Sequence, residues 1–510
     1  MTQPAAAQPR SPLAWSLAGY GAFFVETVVG VAISILTVRT LSVTEFGAYK
    51  LASSIIMIGS YVTSCGLDAT LQRFGAEMVA RGRLGALRSL LGWVRVVRTA
   101  ALLLFCGILL AAQAPIGAFF AFPPALTGAL VLVCAILCVQ SLNNTFGFSF
   151  LPVQGAYLEM SGLRAAVAVL RLAGFAVAFM AALGLLGVLG ALFLAPALGM
   201  GWIILRNRRW LQAHPPAPGG GAEIGLDDYR RRILRYSLVG YLAINVNVFR
   251  DLSADSFIIA HYLGPGQVAM YGLASTLILF AESLNPANLL RGILTPLLTA
   301  RHAVADGQRE LLRAFRFLNK AVMLMQWPLV TLLIVLGDEV IRLVYTPAYA
   351  SAYPALVMLC GFAYFLGLTF PFVPLIAVLE KNILLLLSGL TSVYNLALDI
   401  VLVPRFGIGG AAFATGSAAV LQLALYWFAF RRVFGLGISF PFAVALRTAV
   451  NLALPVGIAL LLKDQLANVM QLLVLIAGCG LLYGLAVFLN HGLDADELRL
   501  FDGLRRRRHG

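Results

Sequence analysis

Apolar residues run along this chain in long blocks, broken by short polar or basic segments. A helix needs about 20 mostly apolar residues to cross a hydrocarbon core. Blocks of that kind fall at 13–38, 46–67, 92–112, 124–146, 163–182, 185–205, 235–261, 268–298, 318–337, 351–378, 382–403, 409–430, 441–462 and 470–490. The pattern predicts an all-α polytopic membrane protein with about 14 transmembrane helices. The blocks are near-continuous rather than alternating with period two, which argues against an outer-membrane barrel. The segment 13–38 is too long for a signal-peptide core and reads as a retained first span.

Composition excludes a soluble enzyme. Hydrophobic residues make up 60% of the 510 residues and charged residues 12%, against about 25% charged in an average soluble domain. The net charge of +15 would suggest nucleic acid on a soluble protein, but its placement gives another reason. With an even number of spans and a cytoplasmic N-terminus, 27 of the 37 Lys and Arg residues fall in cytoplasmic segments. Outside segments hold four, Arg39, Arg342, Arg405 and Lys463. Six fall within spans: Lys50, Arg95, Arg98, Arg171, Arg250 and Arg291. This bias predicts that both termini are cytoplasmic. The basic side then meets anionic membrane lipids, and no nucleic acid is needed. The Arg505–Arg508 run reads as a solvated anchor, and the six cysteines, all in apolar blocks, as small packing residues.

The chain also repeats itself. Leu41, Tyr49, Leu51, Ala52 and Ser53 match Leu263, Tyr271, Leu273, Ala274 and Ser275 at an offset of 222. Val79, Ala80, Gly82, Leu87 and Arg88 match Val304, Ala305, Gly307, Leu312 and Arg313 at 225, and Gly184, Gly187, Arg208 and Arg209 match Gly407, Gly410, Arg431 and Arg432 at 223. Three blocks in chain order at nearly one offset predict two parallel six-helix repeats plus two extra C-terminal helices. The expected domains are an N-terminal lobe at 1–205, a flexible cytoplasmic linker at 206–234, a C-terminal lobe at 235–434, and a helix pair with basic tail at 435–510. Outside loops are short, so no extramembrane catalytic domain is expected.

Charges within spans are costly, on the order of 2.5–3.5 kcal/mol each on the insertion scale, and should face a partner or a wet cavity. At helical spacing the second span lines up Lys50, Ser53, Ser54, Met57, Tyr61, Ser64 and Asp68, and the seventh Asn247, Arg250, Asp251, Ala254 and Asp255. Glu26 in the first span and Glu282 with Asn285 in the eighth are mid-span, with no cation within four residues of either glutamate. Together these stripes predict one central aqueous cavity. Lys50 and Asp68 are also compatible with snorkelling, and Arg250, Asp251 and Asp255 with a self-neutralising cluster. Arg95, Arg98, Arg171 and Arg291 lie toward the cytoplasmic ends and are expected to snorkel. There is no Walker motif, no metal-ligand spacing and no nucleophile–base set, so no cofactor and no enzymatic activity are expected.

Two stretches, TVRTLSVTEFGAYKLASSIIMIGSYVTSCGLDATLQRFGAEMVARGR (37–83) and LVPRFGIGGAAFATGSAAVL (402–421), with DSFIIAHYLGPGQVAMYGLAS (255–275) between, resemble bacterial polysaccharide-biosynthesis membrane proteins. These are the O-antigen and exopolysaccharide flippases of the multidrug/oligosaccharidyl-lipid/polysaccharide exporter superfamily. The resemblance covers about residues 13–435. It implies an inner-membrane protein of two six-helix bundles alternating access, moving an undecaprenyl-pyrophosphate-linked oligosaccharide to the periplasmic leaflet, with a polysaccharide polymerase as a partner. On that reading Arg250, Lys50 and Arg73 meet the pyrophosphate beside Asn247 and Asn285. Glu26, Glu282, Asp255 and Asp68 are candidates for coupling to a proton or sodium gradient. A drug or organic-cation antiporter of the same superfamily would want an acidic cavity, and Lys50 and Arg250 argue against it. A membrane-embedded polymerase or ligase would need catalytic outside loops. A lipid II-type flippase fits the same spacing.

Overall fold

The computed structural model describes residues 12–215, 226–245, 248, 252–285, 307–379 and 384–490. Among them are helices and turns but no strand. The helices are α1 (Pro12–Thr40), α2 (Val43–Val62), α3 (Leu67–Ala80), α4 (Leu84–Ala111), α5 (Gln113–Phe119), α6 (Pro124–Asn143), α7 (Tyr157–Met180), α8 (Gly184–Ala213), α9 (Leu226–Asn245), α10 (Leu252–Leu263) and α11 (Pro265–Ser283). Then come α12 (Gly307–Glu339), α13 (Tyr353–Gly367), α14 (Phe372–Val378), α15 (Leu385–Phe428), α16 (Phe442–Leu462) and α17 (Val469–Leu489).

Ten of these stretches are long and apolar enough to cross a membrane, or 11 if the bent pair α2–α3 is one span. The protein is thus a multi-pass membrane protein, while the expected number of 14 spans is not reached among the described residues. The physical reasons are specific. Expected spans 382–403 and 409–430 join as one stretch, Leu387–Val433, broken inside α15 at Gly407 (φ 62°, ψ −147°). The spans expected at 235–261 and 268–298 run through residues outside the description. Gly184, which the internal repeat pairs with Gly407, also has a positive φ of 58°. That left-handed conformation costs glycine little, and here it turns the chain sharply between α7 and α8.

Two compact units emerge. The first comprises 1–272 with 396–407, the second 273–395 with 408–510. The first unit therefore extends past the expected lobe boundary. The expected flexible linker is largely helical on its described flanks: Arg206, Arg208 and Arg209 ride on α8, and Arg230, Arg231 and Arg232 on α9. Tyr229 and Ile233 of α9 are buried against Leu67, Leu71 and Phe74 of α3 and Leu87 and Leu90 of α4. An amphipathic helix with an apolar face of its own docks instead of floating.

Within the first unit α2 starts at a capping box, Ser42 with Glu45. It ends where Cys65 (φ 48°) and Gly66 (φ 68°) turn the chain, so that α3 departs at 46°. A side chain on Gly66 would run into the backbone oxygen of Ser237 in α9. In the second unit α12, α14, α15 and the π-helical turn Ala429–Val433 that follows it bury an aromatic cluster of Phe315, Phe372, Tyr426 and Phe430. The extra helices α16 and α17 pack Ala459, Leu472 and Cys479 on Leu336 of α12.

Candidate functional site

Two polar-lined cavities lie inside the first unit. A cavity of about 490 Å³ is walled by Gly30 and Ile33 of α1, Gln140 and Asn143 of α6, Arg164 and Arg171 of α7, and Pro196 and Gly199 of α8. A neighbouring cavity of about 400 Å³ runs along Tyr49, Ser53, Met57 and Tyr61 of α2. Gln140, Asn144 and Arg171 line both. Helical periodicity makes the wall. Residues 164, 168 and 171 share one face of α7, and Asn144 opens a π-helical turn, Asn144–Ser149, that continues α6. Wide turns of this kind recur at functional sites.

Three charged side chains, Glu26, Arg164 and Arg171, line the larger cavity. Arg164 donates from Nε to Glu26 Oε1 at 2.9 Å and from Nη2 to Oε2 at 2.7 Å. The cation that Glu26 lacks along its own helix is thus supplied by α7, 138 residues away in sequence. The premise that Glu26 is an unpaired mid-span carboxylate is therefore corrected. If this fork is a structural pair, Glu26→Gln and Arg164→Gln should each lower the melting temperature in detergent, and the double variant should lose less than their sum. A coupling energy of about 0.5–3 kcal/mol is expected for contacting partners. Additive losses would show that the pair does not act as a unit.

Arg171 differs. It has no hydrogen bond or ion pair among the described residues, and its Nε is buried without a partner. Asn143 donates from Nδ2 to the Pro196 carbonyl at 2.8 Å, while its Oδ1 is also buried and unpartnered. A guanidinium and amides facing one cavity, with bonding capacity unused, suit an anionic, hydroxyl-rich ligand. The expectation that Arg171 snorkels is corrected: α7 turns it inward.

A second polar spot in this unit is acidic. Asp255 of α10 and Tyr271 of α11 are fully buried, and the Tyr271 hydroxyl donates to Asp255 Oδ2 at 2.5 Å. Asp399 of α15, 1% exposed, has Asp255 as its electrostatic neighbour. No donor reaches either Asp399 oxygen. Two neighbouring carboxyls in a dry site repel each other, and a proton or a cation shared with them relieves the repulsion.

The remaining expected site residues disperse. Lys50 lies outside both cavities; its stem packs on Gly272, and its Nζ sits 5.4 Å from the Phe46 ring centroid. Asp68 is not on the α2 stripe, because the bend breaks the helical phase. It begins α3 and accepts from Thr145 Oγ1 at 2.6 Å. Arg98, also expected to snorkel, is 0% exposed, with Asp68 and Cys65 as its electrostatic neighbours. Arg73 is exposed on α3, over the Tyr236 ring at 4.7 Å. Asn285 is fully buried in the second unit and donates to Gln326 Oε1 at 2.6 Å. Glu282, in the same unit, neighbours Cys360. Asn247, Arg250 and Arg291 lie outside the described residues.

Arg164, Arg171 and Asp399 were not singled out as site residues by sequence reasoning. Their signals were faint but present: two arginines seven residues apart on one apolar helix, and Asn395 and Asp399 one turn apart in another.

Residues 35–354 match the sequence family described as polysaccharide biosynthesis protein. No curated protein matches the chain in sequence. Among solved structures the chain is similar to lipid II flippase MurJ in an inward closed conformation, at a TM-score of 0.71 and 14% identity, covering 94% of this chain and 99% of that one. It is also similar to an inward-facing multidrug resistance MATE family transporter of the MOP superfamily, at a TM-score of 0.65 and 14% identity, covering 82% and 98%. A third is a MOP superfamily transporter from Pyrococcus furiosus described by the reversed polarity of its binding pocket, at 0.56 and 14%, covering 86% and 100%. At these identities the likeness concerns the fold.

Proposed function

The chain belongs to the polysaccharide biosynthesis protein family, and from that premise we propose that it flips an undecaprenyl-pyrophosphate-linked oligosaccharide across the bacterial cytoplasmic membrane by alternating access. The observation that carries this reading is Arg171, an inward-facing arginine whose Nε has no hydrogen-bond partner, in a cavity of about 490 Å³ that it shares with the amides of Gln140, Asn143 and Asn144 and with the Glu26–Arg164 pair. A pyrophosphate cannot shed its water without counter-charges, because burying bare charges costs tens of kcal/mol by Born solvation. A guanidinium offers parallel N–H donors to phosphate oxygens. Gln140, Asn143 and Asn144 offer donors and acceptors to sugar hydroxyls.

Arg171 also favours this reading over an organic-cation antiporter, since a cationic ligand would be repelled there. A lipid II-type flippase handles the same chemistry at the headgroup and differs in the glycan. The neighbouring carboxyls of Asp255 and Asp399 support coupling to a proton or sodium gradient, with Tyr271 orienting Asp255. Both termini are cytoplasmic on this reading, as the basic bias suggests, and a polymerase consumes the flipped product.

The test is direct. Purified protein is reconstituted into vesicles with a fluorescent undecaprenyl-pyrophosphate-linked oligosaccharide, and the fraction open to a membrane-impermeant quencher is followed. A protein-dependent rise in that fraction is expected. Movement of organic-cation dyes with no movement of the lipid would overturn the proposal.

A further inference from the structure

The second concentration of cations is on the surface of the first unit, where α3, the α3–α4 turn and α9 meet. Its arginines are held in defined poses. Arg83 donates from Nη1 to the Tyr229 hydroxyl at 2.6 Å, and Arg81 reaches the same oxygen at 3.3 Å. Arg232 lies 5.5 Å from the Phe74 ring centroid, and Arg73 stacks on Tyr236. Glu77 takes Arg81 at 2.7 Å and Arg232 at 3.6 Å, which leaves a surplus of positive charge. Stacking fixes a guanidinium plane while its N–H edges stay open.

The outward face of α9 says what the charge meets. Tyr229, Ile233 and Ser237 form its buried side. On the other side Arg230, Arg231 and Arg235 are exposed near the N-terminus, with no protein partner among the described residues. Leu234, Leu238, Val239 and Leu242 follow, each 48–60% exposed. The face changes from arginine to leucine along the helix axis. Exposed leucines in a membrane protein belong among acyl chains. At 1.5 Å rise per residue, Arg235 is about 5 Å and Arg231 about 10 Å beyond Leu238. One headgroup layer is about 5–8 Å thick, within reach of an arginine side chain.

We propose that this α3–α9 face is a binding surface for anionic phospholipid headgroups, their phosphates held by Arg230, Arg231 and Arg235 alongside the aromatic-stacked Arg73 and Arg232. It is separate from the lined cavity and does not depend on what that cavity transports. Its location has a consequence: α9 presses the Ser237 carbonyl against Gly66, and Ser237 Oγ lies 2.7 Å from Thr70 Oγ1. Lipid bound to α9 therefore braces the bend between α2 and α3.

The experiment measures the melting temperature of the full-length protein in neutral mixed micelles on addition of phosphatidylglycerol, phosphatidylcholine or inorganic pyrophosphate. A ligand that binds the folded state alone raises that temperature. Phosphatidylglycerol should raise it and phosphatidylcholine should not, and rising salt should shrink the effect. The triple variant Arg230→Gln, Arg231→Gln, Arg235→Gln, which breaks no contact within the described protein, should lose more than half of the shift. Equal shifts in variant and wild type, or equal shifts with both lipids, overturn the proposal. A pyrophosphate shift that matches and competes with phosphatidylglycerol also overturns it, because the face is then a diphosphate site and not a phospholipid surface.

Discussion

Arg171→Ala is expected to slow flipping of the lipid-linked oligosaccharide by about 100-fold or more while the protein still inserts at its normal level. A hydrogen bond to a charged group contributes about 1.5–3 kcal/mol, and the alanine variant loses two parallel ones. That corresponds to roughly 10²-fold or more, at 1.4 kcal/mol per factor of ten. Arg171→Lys should recover only part of the rate, because an ammonium restores the charge without the fork. Arg171 makes no hydrogen bond or ion pair among the described residues, so its removal strands no bonded partner and the protein should still fold. The measurement is the vesicle assay, together with accumulation of lipid-linked oligosaccharide and loss of surface glycan in cells. Normal surface glycan from normally abundant Arg171→Ala protein would remove Arg171 as the headgroup ligand.

Asp399→Asn should uncouple transport from the ion gradient. With an amide at 399, the side-chain N–H can donate directly to Asp255, so the pair closes without a proton or cation between its members. Wild-type flipping should accelerate when a proton or sodium gradient is imposed, and applying each gradient alone identifies the ion. Flipping by Asp399→Asn, and by Asp255→Asn, should be indifferent to both gradients. Undiminished gradient dependence in the double variant would exclude this pair as the coupling site. Tyr271→Phe is the gentler probe, since it removes the 2.5 Å bond to Asp255 and leaves both carboxyls.

Much of the architecture was legible in the residues. Twenty apolar residues in a row have one favourable state, a helix in lipid, because every backbone group must be satisfied within the segment. Membrane class, helical fold and approximate span positions follow from that local rule. The repeat pairs Gly184 with Gly407, and the structure adds that both take positive φ. The family resemblance, carried by residues such as Tyr49 and Gly47 in the stretch 37–83, agrees with the family match over 35–354.

The site was less legible, because a helix pattern shows which residues share a face but not what that face meets. Glu26 looked unpaired since its partner Arg164 sits on a helix that reaches it only after packing. Arg171 and Arg98 looked like snorkelling arginines because depth along a helix was known and direction was not. The α2 stripe ran through Asp68 on paper, whereas the left-handed turn at Cys65 and Gly66 redirects everything after it. Asp255 and Asp399 are 144 residues apart, and nothing local in either segment requires the other. The sequence by itself determined the elements, because hydrophobic length and backbone satisfaction are local. Only the tertiary structure decided the site, because pairing of buried charges depends on which helix faces come together.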